Sequence, residues 1–269
     1  DPMQELKAEF SKYDITPDIY DLDDHTPEEI NEYIQNGNYD VVAASGGDGT
    51  INMVAGLLEG KDIALGVIPA GTLNHFAKDL DIPLTIEDSV KLIASGEISC
   101  VDTASVNGRL FLNNSSIGFY PLAVRKRDVQ QSKLKRNKWV SMFYGFYSVM
   151  RKFPLYAVRV KTEDETVVVK SPIVFVGNNE YSTDLLSLGS RNSLSGGKLS
   201  LFLAKSNTRF KMLKLIVSTV LNRLKESDEL EMRLEDEVVI ESKKESLSVS
   251  IDGEVGEMKP PLHYKIHRN

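Results

Sequence analysis

One glycine-rich segment, Ser45–Thr50, combines residue types that suit a metal ion and a phosphate group. The apolar run 40–44 before it predicts a buried parallel strand, and the run 51–58 after it predicts a helix. A glycine-rich turn between a strand and a helix leaves backbone N–H groups for a phosphate, and the helix N-terminus favours negative charge. Asp48 would repel that phosphate unless Mg2+ lay between them, held by the carboxylate and phosphate oxygens. The segment therefore predicts a site for a metal-bound nucleotide.

A second strand–loop–helix unit follows, in which 63–68 predicts a buried strand, Pro69–Asn74 a loop and 75–80 a helix. Two such units place two polar loops at the carboxyl ends of parallel strands, where open α/β sheets bind ligands. The alternative is that each loop is a tight turn, in which glycine supplies a positive φ and Thr72 caps a helix. The pair of loops favours the ligand site, with Asp48 as its Mg2+ ligand. The predicted nucleotide-binding residues are Gly46, Gly47, Asp48, Gly49, Thr50, Asn52, Gly71, Thr72 and Asn74.

Three motifs resemble those of the lipid kinase family that contains diacylglycerol kinases, sphingosine kinases and their bacterial relatives. The segments Gly-Gly-Asp-Gly-Thr at 46–50 and Pro-x-Gly-Thr-x-Asn at 69–74 resemble its two nucleotide loops, and Asp-Gly-Glu at 252–254 resembles the motif that supplies its catalytic base. The resemblance implies ATP as phosphoryl donor, Mg2+, and a lipid hydroxyl as acceptor, diacylglycerol by default. Phosphofructokinases and NAD kinases share the first motif, so a kinase with a soluble substrate is the alternative within enzymes.

The resemblance, together with the needs of phosphoryl transfer, assigns roles to single residues. Transfer needs a metal to neutralise charge, a positioned phosphate chain and a base for the acceptor hydroxyl. Asp48 is the candidate on the metal side, Asp252 is the candidate general base, and Glu254 is able to share or take that role. The amide of Asn74 is expected to fix either the second loop or the nucleotide. The alternative for Asp252 and Gly253 is a plain hairpin turn, because Asp-Gly is a common hairpin signal.

The chain also departs from the family pattern. His75 stands where many relatives have an acidic residue, and a His75–Asp79 pair one helical turn apart would substitute for it. Met53 stands where relatives often have glutamate. Bacterial relatives hold a structural Mg2+ in the second domain, but no acidic residue occurs here between 185 and 225. We expect that second metal site to be absent, and a catalytically weakened lipid- or nucleotide-binding module is the non-enzymatic alternative.

The pattern of predicted elements changes near residue 100. Before it, predicted helices at 6–10, 27–35 and 84–95 accompany the two strands; beyond it, short β-like runs dominate. We predict a parallel α/β nucleotide-binding domain over 1–98, of the NAD kinase and phosphofructokinase kind that the resemblance implies, and a β-rich, sandwich-like lipid-substrate domain over 99–269. The family's first strand is expected to lie outside the printed sequence. The predicted strands of the second domain are 101–106, 109–113, 157–161, 167–170, 173–176, 198–204, 238–242, 247–251 and 262–267, with a hairpin turn at 107–108.

The segment Arg125–Lys152 carries nine basic residues and one acidic residue in a chain whose net charge is −7. It also holds Trp139 and four further aromatic residues. Basic side chains beside aromatic rings suit docking on an anionic lipid surface, which would place the lipid substrate within reach. The alternative is a solvated basic helix that buries its aromatic face in the core. Nucleic acid is a poor partner for an acidic chain without a recognition motif, and a homodimer is left open.

The composition indicates a globular enzyme rather than a fibrous or membrane-spanning chain. Of the 269 residues, 41% are hydrophobic and 26% are charged, which are ordinary fractions. Cys100 is the single cysteine, so no internal disulfide forms; we expect it to be a small buried residue in a reducing compartment. No apolar run is long enough to span a bilayer and no secretory leader is visible. The sequence predicts a cytoplasmic protein, and peripheral contact with the inner face of the membrane is left open.

Overall fold

The computed structural model of the chain describes residues 2–118, 155–181, 191, 193–204, 208 and 230–269. The chain forms two compact units, Asp1–Cys100 and Val101–Asn269. The boundary predicted after residue 98 lies two residues before this division. The basic segment Arg125–Lys152 lies outside the described residues, so the two interpretations of it both stay open.

The first unit contains a parallel pair of strands with helices before, between and after them. Strand β1 (Val41–Gly46) pairs in parallel with strand β2 (Ala64–Pro69), from Val41 opposite Ala64 to Gly46 opposite Pro69. This arrangement confirms the predicted parallel α/β unit. Its elements are α1 (Pro2–Ser11), α2 (Pro27–Asn36), β1 (Val41–Gly46), α3 (Asp48–Leu58), β2 (Ala64–Pro69), α4 (His75–Asp79) and α5 (Ile86–Ser95).

Local signals explain where the longer helices begin and end. Thr26 caps α2 in a reciprocal capping box with Glu29, which satisfies backbone donors that a helix start leaves without partners. The side chain of Thr85 caps α5 by accepting from the N–H of Asp88, and the helix ends before Gly96, which has a φ of 73°. The apolar sides of α2, α3 and α5 are buried. The buried residues include Ile30 and Ile34 of α2, Ile51, Val54 and Leu58 of α3, and Val90 of α5.

The second unit consists, in its described ranges, of two six-stranded antiparallel sheets. The strands are β3 (Thr103–Val106), β4 (Arg109–Phe111), β5 (Asn114–Gly118), β6 (Tyr156–Lys161), β7 (Thr166–Ser171), β8 (Ile173–Asn178), β9 (Leu199–Ala204), β10 (Leu230–Glu235), β11 (Glu237–Ser242), β12 (Leu247–Ile251), β13 (Glu254–Met258) and β14 (Leu262–His267). The first sheet has the order β4-β3-β14-β11-β6-β7 and the second the order β10-β9-β8-β5-β12-β13.

The two sheets of the second unit share one hydrophobic core. Ile117, Val176 and Leu201 of one sheet belong to the same buried cluster as Val158 and Tyr264 of the other. Inward side chains alternate with outward ones along β6 and β14, as in a sheet with one buried face. The predicted sandwich-like β-rich fold is therefore confirmed.

Two expectations need correction. Strands β5, β10 and β13 were not among the predicted strands, because each is rich in polar or charged residues. Cys100, expected to be buried, is exposed at the end of the first unit.

None of the helices in the described ranges is long and apolar enough to cross a membrane.

Candidate active site

The first polar loop is the tight connection between β1 and α3, in which the single residue Gly47 separates the two elements. Strand β1 ends at Gly46, and α3 begins at Asp48 after an extended Gly47. A Cβ on Gly46 would lie 2.6 Å from the Oγ1 and the Cβ of Thr50, so the threonine side chain occupies the space beside this glycine. Because Gly47 has no side chain to cap α3, the first N–H groups of the helix remain suited to an anion.

The second loop lies directly against the first. The backbone N–H of Ala70 donates to the carbonyl of Gly46 at 2.8 Å. A Cβ on Gly71 would lie 2.6 Å from the Cα of Gly47, which is closer than any side chain tolerates. The structure thus brings the two predicted loops together at the carboxyl ends of β1 and β2, and their contact requires glycine at position 71.

Asn74 closes the second loop with its side-chain amide. Its Oδ1 accepts from the backbone N–H of Gly71 at 3.0 Å, and its Nδ2 donates to the carbonyl of Gly71 at 3.0 Å. Asn74 is 7% exposed and has a left-handed backbone with φ 50°. Of the two roles predicted for this amide, the structure supports the fixing of the loop. Asn74, not Thr72, occupies the N-cap position of α4, so the alternative role of Thr72 as a cap is wrong; Thr72 is exposed.

Asp48 links the two loops through its carboxylate. Its Oδ1 accepts from the backbone N–H of Phe76, in the first turn of α4, at 3.3 Å. An ionised carboxylate has about four acceptor positions, so this bond leaves capacity for a cation. A single carboxylate that shares Mg2+ with nucleotide phosphates is a common arrangement, and Asp48 fits it. No cluster of three or more His, Cys, Asp or Glu side chains in the described ranges is able to hold a metal by itself.

The remaining residues predicted for this site lie around the loops. Gly49 and Thr50 belong to the first turn of α3, and Asn52 follows one turn later, partly buried. His75 and Asp79 are the first and last residues of α4. Their pairing stays a prediction, as do the nucleotide contacts of all these residues.

In the second unit, Asp252 and Gly253 form the turn of a tight hairpin between β12 and β13. Both residues have positive φ, 46° and 88°, as a two-residue hairpin loop requires. The alternative of a hairpin turn therefore describes the backbone correctly. The side chain of Asp252 has a further role, because its carboxylate binds the backbone of a neighbouring loop, residues 112–114.

The carboxylate of Asp252 accepts hydrogen bonds from three consecutive backbone N–H groups. Oδ2 accepts from Leu112 at 2.8 Å, and Oδ1 accepts from Asn113 at 2.9 Å and from Asn114 at 2.8 Å. Burial raises the pKa of Asp252 to about 6, while the three N–H donors and the positive charge of Arg191 oppose that rise. A carboxyl group with a pKa near neutrality suits general base chemistry. Oδ2 carries one bond against two on Oδ1, so it is the oxygen with more capacity to accept a proton.

Three residues that the sequence analysis did not select hold the loop that binds Asp252. They are Asn178 at the end of β8, Tyr181 and Arg191, and each donates a hydrogen bond to the main chain of 112–113. Asparagine pairs at 113–114 and 178–179, each beside an apolar strand, were the sequence signal available, because such residues in buried turns usually bind backbone groups.

Glu254 has a different environment from Asp252. Its Oε2 accepts from the Nη2 of Arg109 at 2.8 Å, and the two side chains are 60% and 47% exposed. The ion pair joins β13 and β4, which are edge strands of the two different sheets. A solvated carboxylate in an ion pair is a weak candidate for a base, so the structure favours Asp252 within this motif.

Comparisons with known proteins agree with the motifs. Residues 2–106 match the family model of the diacylglycerol kinase catalytic domain. A diacylglycerol kinase of Staphylococcus saprophyticus is 40% identical over 83 residues, which are 30% of this chain and 27% of that protein. An uncharacterized protein of Synechocystis is 28% identical over 233 residues, which are 84% of this chain and 53% of that protein. The predicted resemblance to the diacylglycerol kinase type of lipid kinase is thereby confirmed.

A solved structure supports the fold. A candidate diacylglycerol kinase of Bacillus anthracis superposes with a TM-score of 0.67 at 23% identity, covering 90% of this chain and 79% of that chain. The chain spans about half of the length of the Synechocystis relative, 53%, and 27% of the Staphylococcus enzyme.

Proposed function

We propose that this chain is the core of an ATP-dependent lipid kinase, which transfers the γ-phosphoryl group to a lipid hydroxyl. The observation that carries the proposal is the combination of two glycine loops in contact, with Asp48 at their junction, and a second carboxylate, Asp252, held on three backbone N–H groups. Each is one of the parts that phosphoryl transfer needs. The family match over residues 2–106 supports the same class of reaction.

In this proposal the first unit binds the nucleotide. Backbone N–H groups at Gly47 and in the first turn of α3 bind phosphate oxygens, and the Gly71 loop lies beside them. Mg2+ bound to Asp48 and the phosphates would neutralise the charge of the phosphate chain. The hydrogen bonds of Asn74 keep the second loop in one conformation, so that its backbone is already in position when the nucleotide arrives.

The second unit supplies the base. Asp252 takes the proton of the acceptor hydroxyl on Oδ2 while the hydroxyl oxygen attacks the γ-phosphorus. The bond between the γ-phosphorus and the oxygen that bridges to the β-phosphate breaks, and ADP leaves. Its three N–H donors fix the carboxylate, so the proton acceptor needs no reorganisation during the step. With a pKa of about 6, Asp252 is ionised at neutral pH and is close enough to that pH to remain a useful base.

The acceptor is proposed to be diacylglycerol or a chemically similar lipid with a free hydroxyl, reached by a protein that docks on the inner face of the membrane. The resemblance to diacylglycerol kinases and the basic, aromatic composition of 125–152 support this choice. The second candidate function is a kinase with a soluble acceptor, which the shared Gly-Gly-Asp-Gly-Thr motif favours. The third is a binding module without turnover, which His75 and Met53 favour.

One experiment separates these functions. ATP turnover is measured with Mg2+ alone, with mixed micelles that contain diacylglycerol, and with soluble alcohols and NAD as acceptors. We expect turnover to rise only with the diacylglycerol micelles. Turnover with a soluble acceptor would support the second function, and nucleotide binding without turnover on any acceptor would support the third.

A further inference from the structure

The loop that binds Asp252 is itself bound on its other side. The peptide group between Leu112 and Asn113 donates its N–H to Oδ1 of Asp252 at 2.9 Å. The carbonyl of the same peptide accepts from Nη1 of Arg191 at 2.6 Å and from Nδ2 of Asn178 at 2.8 Å. One peptide group therefore lies between the guanidinium of Arg191 and the carboxylate of Asp252.

The next peptide group repeats this arrangement. The N–H of Asn114 donates to Oδ1 of Asp252 at 2.8 Å. The carbonyl of that peptide, on Asn113, accepts from the hydroxyl of Tyr181 at 2.9 Å and from the backbone N–H of Asn178 at 2.9 Å. Each of the two peptide groups that donate to Oδ1 therefore also accepts two hydrogen bonds at its carbonyl oxygen.

A peptide whose carbonyl accepts strong hydrogen bonds becomes a better N–H donor, because each bond polarises the next. Arg191 contributes the largest effect of the four donors, since its bond is charge-assisted. It makes a second bond to the loop, from Nη2 to Oδ1 of Asn113 at 3.0 Å, and its guanidinium lies 5.8 Å from the ring centre of Tyr181. These contacts fix both the position of the loop and the field that it exerts on Asp252.

We propose that Arg191 is a positioning residue for Asp252, acting through the Leu112–Asn113 peptide to hold the carboxylate ionised and correctly placed for proton transfer. The inference rests on the proposed role of Asp252 as base. In this proposal Arg191 acts on Asp252 and not on either substrate. Its part is to make a buried carboxylate available as a base at neutral pH.

Few other charged or titratable groups face Asp252 from the described residues. Tyr181 binds the same loop, and its hydroxyl is a neutral donor there. The Arg109–Glu254 ion pair begins two residues later on the same hairpin and is largely solvated. Arg191 is the charged group whose field lowers the pKa of Asp252, against the effect of burial.

The test compares Arg191→Gln and Arg191→Lys with the parent in two measurements. The first is the pH dependence of kcat and of the KM for the acceptor, with ATP and diacylglycerol micelles. The second is the titration of the Asp252 carboxyl carbon by NMR in the absence of substrates. Arg268→Gln is the matched control, because Arg268 also binds a loop carbonyl, that of Gly197, and an aspartate, Asp236, without touching 112–114.

Removal of the positive charge should raise the pKa of Asp252 by about one unit or more, the usual effect of one neighbouring opposite charge. In the pH profile of kcat, the midpoint of the fall at acidic pH should move up by the same amount for Arg191→Gln. Below pH 6.5 the kcat of this variant should therefore be roughly threefold to tenfold lower than that of the parent, and the two values should approach each other towards pH 9. KM for the acceptor should be nearly unchanged. Arg191→Lys should restore most of the pKa difference, because lysine keeps the positive charge. Arg268→Gln should leave the acidic midpoint of the kcat profile at the parent's pH.

Two results would overturn the inference. One is an Asp252 titration that is the same in Arg191→Gln as in the parent. The other is a uniform loss of kcat at all pH values that lysine does not rescue, since a purely structural defect has that signature. If the parent shows no turnover with lipid, the proposed function fails, and the NMR titration alone then decides whether Arg191 controls Asp252.

Discussion

The Oδ1 of Asp48 accepts a hydrogen bond from the backbone N–H of Phe76, 28 residues further along the chain. The acidic residue of the first loop is therefore attached to the helix that follows the second loop. In the proposed function this carboxylate has two tasks, to join the loops and to bind Mg2+. The two tasks depend on different properties of the side chain, because joining needs an acceptor oxygen and metal binding needs charge.

The first prediction separates these two tasks. Asp48→Asn keeps an oxygen for the N–H of Phe76 but removes the charge, so the free energy of unfolding should stay within about 0.5 kcal/mol of the parent. Mg2+-dependent turnover should fall by roughly two orders of magnitude or more, since metal charge stabilisation is worth several kcal/mol. Asp48→Ala should abolish turnover as well. Turnover of Asp48→Asn within a few-fold of the parent across a Mg2+ titration would remove Asp48 from the metal site.

The second prediction concerns the contact between the loops. Gly71→Ala places a Cβ 2.6 Å from the Cα of Gly47, and neither backbone segment moves without disturbing its strand. The substitution should destabilise the fold by roughly 1–3 kcal/mol and weaken nucleotide binding by at least about tenfold. Gly56→Ala on α3 is the control, because a Cβ there meets no atom within 4 Å, and it should be neutral or slightly stabilising. Equal nucleotide affinity of Gly71→Ala and Gly56→Ala, by calorimetry, would contradict this account of the loops.

The third prediction concerns the amide of Asn74. Asn74→Gly keeps a residue that tolerates the left-handed backbone but removes both hydrogen bonds to Gly71. Nucleotide affinity should fall by roughly tenfold, because the loop is no longer held in its binding conformation. Asn74→Asp retains the acceptor for the N–H of Gly71 and should lie between the parent and Asn74→Gly. If Asn74→Gly binds nucleotide as tightly as the parent, the amide does not organise the site.

The fourth prediction concerns the basic segment Arg125–Lys152, which lies outside the described residues. Charge reversal of Lys133, Lys135, Arg136 and Lys138 to glutamate should weaken binding to anionic vesicles strongly, since each nearby basic residue contributes about 1 kcal/mol. Activity on a short-chain, water-soluble acceptor should survive, because the catalytic residues are unchanged. Sedimentation with vesicles of increasing anionic lipid content measures the effect. Binding equal to that of the parent would mean that the segment is a solvated face.

Much of the fold could be predicted from the sequence, because the signals are local. Apolar runs of strand length before a glycine loop predicted β1 and β2, and the Asn107-Gly108 turn marked a hairpin. Strand β5 could not be found in this way, since Asn114, Ser115 and Ser116 are polar. The hydroxyl of Ser115 is paired with that of Tyr264 at 3.1 Å inside the core, 149 residues away, and no local pattern reveals such a partner.

In the candidate site, too, residues with a local sequence signal could be predicted, whereas residues that depend on distant contacts could not. Asp252 could be selected as a candidate because its motif is contiguous, and the two loops could be selected because glycine is needed at their turns. Arg191 and Asn178 were missed, because their significance depends on contacts with Leu112 that span 79 and 66 residues. The exposed ion pair of Glu254 with Arg109, 145 residues apart, likewise could not be inferred from the Asp-Gly-Glu motif.

The most direct test of the central claim is the transfer of γ-labelled phosphate from ATP to diacylglycerol in mixed micelles with Mg2+. We predict label in the lipid product for the parent and a loss of roughly two to four orders of magnitude in kcat for Asp252→Asn, with nucleotide binding almost unchanged. Glu254→Gln should stay within about tenfold of the parent, because its carboxylate is solvated and paired. Absence of labelled lipid with the parent would contradict the lipid kinase, and a larger loss for Glu254→Gln than for Asp252→Asn would contradict the assignment of the base.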